Sequence, residues 1–246
     1  MYQGHRVRLF TYGILRNVPE GVELANAEEV LPRNALFLHK KTGSPAPFAD
    51  RFRIKLIGMR LGAWIDTDLL FVRPLKADTL NVFGWENEKL VGNALLQIDP
   101  ESDLFRLVDQ HINDDFLDPP WLPLFQRAAL KLRRSLGVSR HVGSMPYGTT
   151  GPDLLTWALR KTGKLHLARP IPTFYSLPYT QKGEVFKKVS NWHKFADLPE
   201  DIVAVHLWFQ GLVGGIKVKA RHDAVPEIEP ESFLYDAARH MGVDIA

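Results

Sequence analysis

The chain has no cysteine among its 246 residues. Disulfides, thiolate nucleophiles, zinc ribbons and iron–sulfur clusters are thereby excluded. No apolar run reaches the roughly 18 residues that a membrane-crossing helix needs. The opening residues, MYQGHRVRLFTYG, lack the apolar stretch of a signal peptide, so a cytoplasmic location is expected. Internal repeats and low-complexity tracts are also missing. Lys and Arg are scattered instead of forming a stripe interleaved with aromatics, and nucleic acid is not an expected partner.

What remains is a folding composition, 45% hydrophobic and 24% charged. One α/β domain spanning residues 1–246 is expected from this length, with no internal boundary. Seventeen prolines and eighteen glycines predict many turns. The net charge of +3 and pI of about 9.0 suit an anionic ligand.

Val7 to Tyr12 alternates like a strand and stops at Gly13. Ala27–Leu31 reads as a short helical or extended piece, and Ser44-Pro45-Ala46-Pro47 as a loop. Phe52, Leu56, Ile57, Met59 and Leu61 follow helical spacing, which predicts a helix from Asp50 to Leu61, ended by Gly62. Ala63-Trp64-Ile65-Asp66 reads as a short buried strand. Further strands are predicted at residues 79–85, 94–98 and 203–208. Helices are predicted at residues 102–112 with Ser102 or Asp103 as cap, within 119–137, and at 152–161. A polar tail from about 215 is expected to carry one amphipathic helix near residues 231–241.

The chemistry gathers at Asp66-Thr67-Asp68, where an apolar strand ends. Alternate residues of an extended chain share a face, so two carboxylates at i and i+2 can converge on one hard cation. The tripeptide by itself fits a solvated turn equally well. The preceding helix favours the metal reading. A helix of about ten residues rises about 15 Å, and a return strand of about five residues covers about 16 Å. Asp50 and Arg53, one helical turn apart, are therefore expected at the same edge as Asp66 and Asp68. A helix N-terminus there would add an anion site.

The stretch FADRFRIKLIGMRLGAWIDTDLLFVRPL resembles the DXD sugar-binding region of bacterial glycosyltransferases. Those enzymes are similar to α-1,4-galactosyl- and α-1,4-N-acetylglucosaminyltransferases, yeast initiating mannosyltransferases and clostridial glucosylating toxins. The match lies at Asp50, Arg53, Gly62, Asp66, Asp68 and Pro74, with Ala63 where the family has a second glycine. Weaker likenesses follow at Gly92-Asn93-Ala94, at Thr150-Gly151-Pro152 and at His206-Leu207-Trp208.

The resemblance implies a GT-A fold, a mixed sheet flanked by helices, and retaining transfer of a sugar from a nucleotide-sugar donor such as a UDP- or GDP-sugar. A glycan-type acceptor, as in bacterial polysaccharide biosynthesis, is implied with it. It implies Mn²⁺ or Mg²⁺ as cofactor, with Asp66, Asp68 and His206 at the metal. Asp66, Asp68 and Arg53 are the implied catalytic residues. Asp50, Arg53, Asp66, Asn93, Gly151 and Trp208 are the implied donor-binding set. Members of that family usually carry a strand and helix ahead of the segment equivalent to His5–Tyr12. Their absence here predicts weak nucleotide binding and leaves a catalytically inactive sugar-nucleotide-binding remnant as the alternative.

Plainer readings stand beside these. His206 alone fits a structural histidine, Asn93 a turn or cap, and Trp208 core packing. Asn191-Trp192-His193-Lys194 reads as an acceptor cleft or as a loop anchored by one Trp. The basic segment Leu122–Leu136, with Arg127, Lys131, Arg133 and Arg134, reads as an ordinary amphipathic helix or as one lying on an anionic membrane. At most peripheral membrane association is expected. A phosphatase of the haloacid dehalogenase type also opens with a strand and DxD, but needs a small residue after the second Asp. Leu69 and Leu70 stand there.

Overall fold

The prolines of Ser44-Pro45-Ala46-Pro47 open a helix instead of forming a loop. In the computed structural model, which describes residues 5–76, 80–209 and 226–243, the first helix, α1, spans Ala46–Gly58. Proline lacks an N–H, and the first helical turn has no carbonyl to receive one, so Pro47 fits there without cost. Helix α1 thus begins a full turn before Asp50, the expected start. Its end also moves. Arg60 adopts a left-handed conformation (φ 58°), and the Leu61 N–H reaches back to the Leu56 carbonyl at 3.2 Å. That is a Schellman closure with arginine in the place usually taken by glycine. Met59, expected on the inward face, is exposed.

Seven strands are described: β1 (Val7–Thr11), β2 (Val22–Asn26), β3 (Trp64–Ile65), β4 (Leu69–Phe71), β5 (Val82–Trp85), β6 (Val91–Gln97) and β7 (Ala204–His206). The remaining helices are α2 (Asp103–Ile112), α3 (Leu124–Ser135), α4 (Pro152–Lys161), α5 (Ile171–Tyr175) and α6 (Phe233–His240). The chain is α/β, with three small sheets among the described residues. Thr79 and the first part of the expected polar tail lie outside the described residues. No described helix is long and apolar enough to cross a membrane.

The chain divides into two compact units. The first comprises Tyr2–Ile65 and Ala77–Arg169. Here β1 pairs in parallel with β2, and β3, β6 and β5 form an antiparallel sheet in that order. Helix α2 buries Leu104, Phe105, Val108 and Ile112, the i, i+1, i+4, i+8 spacing of a helix with one inward face. Ser102 caps it, its hydroxyl accepting the Phe105 N–H at 3.0 Å. Helix α4 buries Leu154, Leu155, Ala158 and Leu159 against the same core. Helix α1 is buried on nearly every side, through Phe48, Phe52, Ile54, Leu56 and Ile57. Any polar side chain on α1 must therefore find partners inside the protein.

The second unit consists mainly of Asp66–Lys76 and Pro170–Ala246. Strands β4 and β7 pair antiparallel, with Leu69 opposite His206, Leu70 opposite Val205 and Phe71 opposite Ala204. Its core gathers Leu177, Val185, Phe186, Leu198, Ile202, Val205 and Phe233. Trp192 anchors that core: its ring meets Phe233 edge-on at 4.8 Å, and its Nε1–H donates to the Ser176 carbonyl at 3.3 Å.

Candidate metal centre

The second unit builds its polar site from the β4–β7 register. Asp68 precedes Leu69, and the Leu207 N–H donates to the Asp68 carbonyl at 2.9 Å. The two chains thus stay paired one step beyond the strands, which carries the Asp68 carboxylate to the His206 imidazole. Nε2 of His206 lies 3.3 Å from Oδ1 of Asp68. Trp208 then turns the chain with φ 56°, and the Phe209 N–H donates to Oδ2 of Asp68 at 2.9 Å. A left-handed conformation is uncommon for a bulky residue, and neighbouring contacts hold it. The Trp208 Nε1–H donates to the Leu177 carbonyl at 2.7 Å, and its ring packs against His206 at 4.1 Å between centroids. Tyr175 meets His206 edge-on at 5.5 Å.

Asp66 and Asp68 do not converge along an extended chain as expected. Asp66 to Leu69 is a tight turn, closed by the Leu69 N–H on the Asp66 carbonyl at 3.2 Å. The turn still brings the carboxylates together with the histidine: Asp66, Asp68 and His206 each present a ligand atom, all within 4.8 Å of one another. A solvated turn does not describe it, because the Asp68 side chain is only 19% exposed and that of His206 11%.

Electrostatics keep Asp68 ionised here. Burial alone would push the Asp68 carboxyl up, but the hydrogen bond and charge of His206, with the Phe209 N–H, outweigh it and hold the group below the ordinary carboxylate range. Asp68 Oδ1 is an acceptor, and so is a bare imidazole nitrogen. An N–H at Nε2 satisfies Oδ1, and a metal ion held by both atoms could take its place. Nδ1 of His206 is buried without a hydrogen-bond partner. Two carboxylates and one imidazole are a donor set that could hold a divalent cation.

The first unit holds a different cluster, built on the buried helix α1. Asp50 and Arg53 sit one turn apart on α1, with Arg53 Nη2 3.4 Å from Asp50 Oδ1. Asn93, on β6, donates from Nδ2 to Asp50 Oδ1 at 2.9 Å, and its carbonyl accepts from Arg53 Nη1. Thr150 donates its hydroxyl to Asp50 Oδ2 at 2.8 Å. Gly151 is required by close approach: a Cβ there would stand 3.0 Å from both Asp50 oxygens and from Asn93 Nδ2. Arg53 also lies over the Trp64 ring at 5.0 Å. The cluster ties α1 to β6 and to the turn that opens α4.

Asp50, Arg53, Asn93 and Gly151 are thus brought together in the first unit, and Asp66, Asp68, His206 and Trp208 in the second. The sequence singled out Thr150 only within the Thr150-Gly151-Pro152 likeness and gave its hydroxyl, which engages the carboxylate, no role; the Phe209 amide carries no side-chain signal and was missed. Tyr175 was missed as a neighbour of His206. An aromatic residue three positions after a proline-led turn is too common a pattern to single out.

Compared with known protein families, curated proteins and solved structures, the chain finds no match.

Proposed function

We propose that the chain is a metal-dependent glycosyltransferase that takes a nucleotide sugar as donor and a glycan-type molecule as acceptor. The observation that carries this reading is the convergence of Asp66, Asp68 and His206, with ligand atoms within 4.8 Å. The spacing of Asp50, Arg53, Gly62, Asp66, Asp68 and Pro74 along the chain, in the DXD pattern described above, supports it. A GT-A arrangement is part of the proposal.

In this reading Asp68 and His206 hold a Mn²⁺ or Mg²⁺ ion, with Asp66 completing the protein's share of its coordination. When bound, such an ion supplies Lewis-acid stabilisation of the charge that develops on a departing diphosphate. The chain's own part is to fix that geometry. The Phe209 N–H keeps one Asp68 oxygen occupied, so the other is aimed at His206. The Tyr175 and Trp208 rings hold the imidazole plane. Low solvent exposure around Asp68 and His206 strengthens their pull on a cation.

The test is a donor-hydrolysis screen over UDP- and GDP-sugars with Mn²⁺, read as nucleoside diphosphate release. Turnover of one donor that Asp68→Ala abolishes supports the proposal. Mn²⁺ binding with no turnover of any donor, with or without glycan acceptors, replaces it by the inactive remnant.

A further inference from the structure

Helix α3 is amphipathic in sequence, yet it buries no residue. Its apolar side chains point the wrong way for a helix that packs on a core. Leu124 is 79% exposed, Phe125 73%, Leu132 62% and Leu136, at the cap, 69%. With Ala128, these residues recur at i, i+1, i+4, i+8 and i+12, a single stripe along the helix. The half-buried positions are Gln126, Arg127 and Leu130, on the opposite side. Helix α3 thus rests on the first unit through a mostly polar face and turns its apolar stripe outward. Val138, just beyond, is 62% exposed and extends the stripe.

Charge decides what covers this stripe. No Asp or Glu occurs between Asp118 and Asp153, while Arg127, Lys131, Arg133, Arg134 and Arg140 all do. Lys131 and Arg133 are exposed and flank the apolar stripe, one on each side. Beyond the C-terminal end of α3 opens a cleft of about 610 Å³, lined by Lys40, Lys41, Arg133, Arg140 and His141 and by no acid. The nearby acids are already engaged: Asp115 pairs with Arg51 at 2.8 Å, and Asp118 lies 4.0 Å from Lys131. A protein partner would need an acidic groove around an apolar seam. A bilayer with anionic headgroups offers both features at once, because acyl chains receive the Leu and Phe side chains while long basic side chains reach out to phosphates.

We propose that α3 and the basic cleft beyond it form a docking surface for an anionic phospholipid membrane. The helix lies in the plane of the interface, with Phe125 and Leu132 inserted below the headgroups and Arg133 and Arg140 contacting phosphate. The surface stands independently of the metal centre, since it draws on none of the same residues.

Vesicle co-sedimentation of the full chain tests this. Vesicles of phosphatidylcholine alone are compared with vesicles containing about one third phosphatidylglycerol, at about 0.1 M and about 1 M salt, where the screening length falls from about 10 Å to about 3 Å. The wild type is expected to pellet with the anionic vesicles at low salt only. Phe125→Glu with Leu132→Glu, and separately Arg133→Glu with Arg140→Glu, are each expected to lower the bound fraction by about tenfold or more. All four positions are exposed or lie at the rim of the cleft, and unchanged circular dichroism will show that the variants fold. Three results overturn the proposal: no binding to anionic vesicles, equal binding to neutral ones, or binding that both variants retain. A solution dimer that Phe125→Glu with Leu132→Glu dissociates, in a protein that ignores vesicles, replaces the membrane with a second copy of the chain.

Discussion

Leu69 stands opposite His206 in the β4–β7 ladder, and that one pairing sets Asp68 beside the imidazole. A strand register is discrete: a slip by one residue turns every side chain to the other face. The candidate metal centre is therefore either assembled or absent, with no intermediate geometry.

The proposed metal site predicts a measurable stabilisation by Mn²⁺. Mn²⁺ at about a hundredfold over its Kd should stabilise the protein by about 2.7 kcal/mol, and EDTA should reverse the effect. Asp68→Ala and His206→Ala should each lower Mn²⁺ affinity by about 100-fold or more, since under the proposal each removes a direct ligand and not merely an outer support. Titration calorimetry reads the affinities and thermal melts the stabilisation. A wild-type Mn²⁺ response that Asp68→Ala retains would place the ion elsewhere.

Two carboxylates predict opposite pH effects in metal-free protein. The Asp68 group is held below the ordinary range, so it stabilises the fold above the unfolded-state value of about 3.9 and loses that contribution as pH falls through its lower folded-state value. Burial pushes the Asp153 carboxyl up, so its contribution runs the other way. It costs nothing below about pH 3.9 and destabilises as pH rises through the higher folded-state value. Asp153→Asn should therefore melt higher than wild type at neutral pH and converge with it in acid. Asp68→Asn should lose part of the acid sensitivity. Melting curves at a series of pH values separate the two, and parallel behaviour of both variants would contradict these assignments.

Asp50 and Arg53 are a buried ion pair whose partners come from α1, β6 and the turn before α4. Removing one charge leaves the other unpaired in the interior. Asp50→Ala is expected to cost about 3–5 kcal/mol in denaturant unfolding. Asp50→Asn should cost less, since its amide oxygen still accepts from Asn93 or Thr150. Gly151→Ala, which pushes a methyl against the Asp50 carboxylate, should cost about 1–3 kcal/mol. A neutral Asp50→Ala would show that the cluster is not structural.

Trp208 offers a test of backbone strain. Its left-handed φ of 56° is free for glycine and costly for other residues. Both Trp208→Ala and Trp208→Gly lose the ring contacts with His206 and Tyr175. The glycine variant should nonetheless be the more stable of the two, by about 1 kcal/mol. The opposite order, normal for most positions, would refute the strain argument.

Helices α2 and α4 were legible because their signals are local. Ser102 caps one, Pro152 opens the other, and their apolar residues repeat with helical spacing. The boundaries of α1 were less so. Pro45 and Pro47 read as a loop when only their helix-breaking character is weighed, and no residue type announced that Arg60 would turn the chain where Gly62 was expected. Strand β2 escaped notice because Val22–Asn26 pairs only with β1 and leaves Leu24 half exposed, which blurs its alternation. Helix α5 was too short to show a period.

The residue types of the candidate centre, and the starts of α2 and α4, were settled by the sequence alone, because side-chain chemistry and local backbone preference need no distant partner. Tertiary structure alone decided their company. Asp68 and the Phe209 amide lie 141 positions apart, and only strand pairing brings them within 2.9 Å. The outward turn of the apolar stripe on α3 was decided the same way. Amphipathic spacing says that a helix has two faces, but only packing against the rest of the chain determines which of them meets the core.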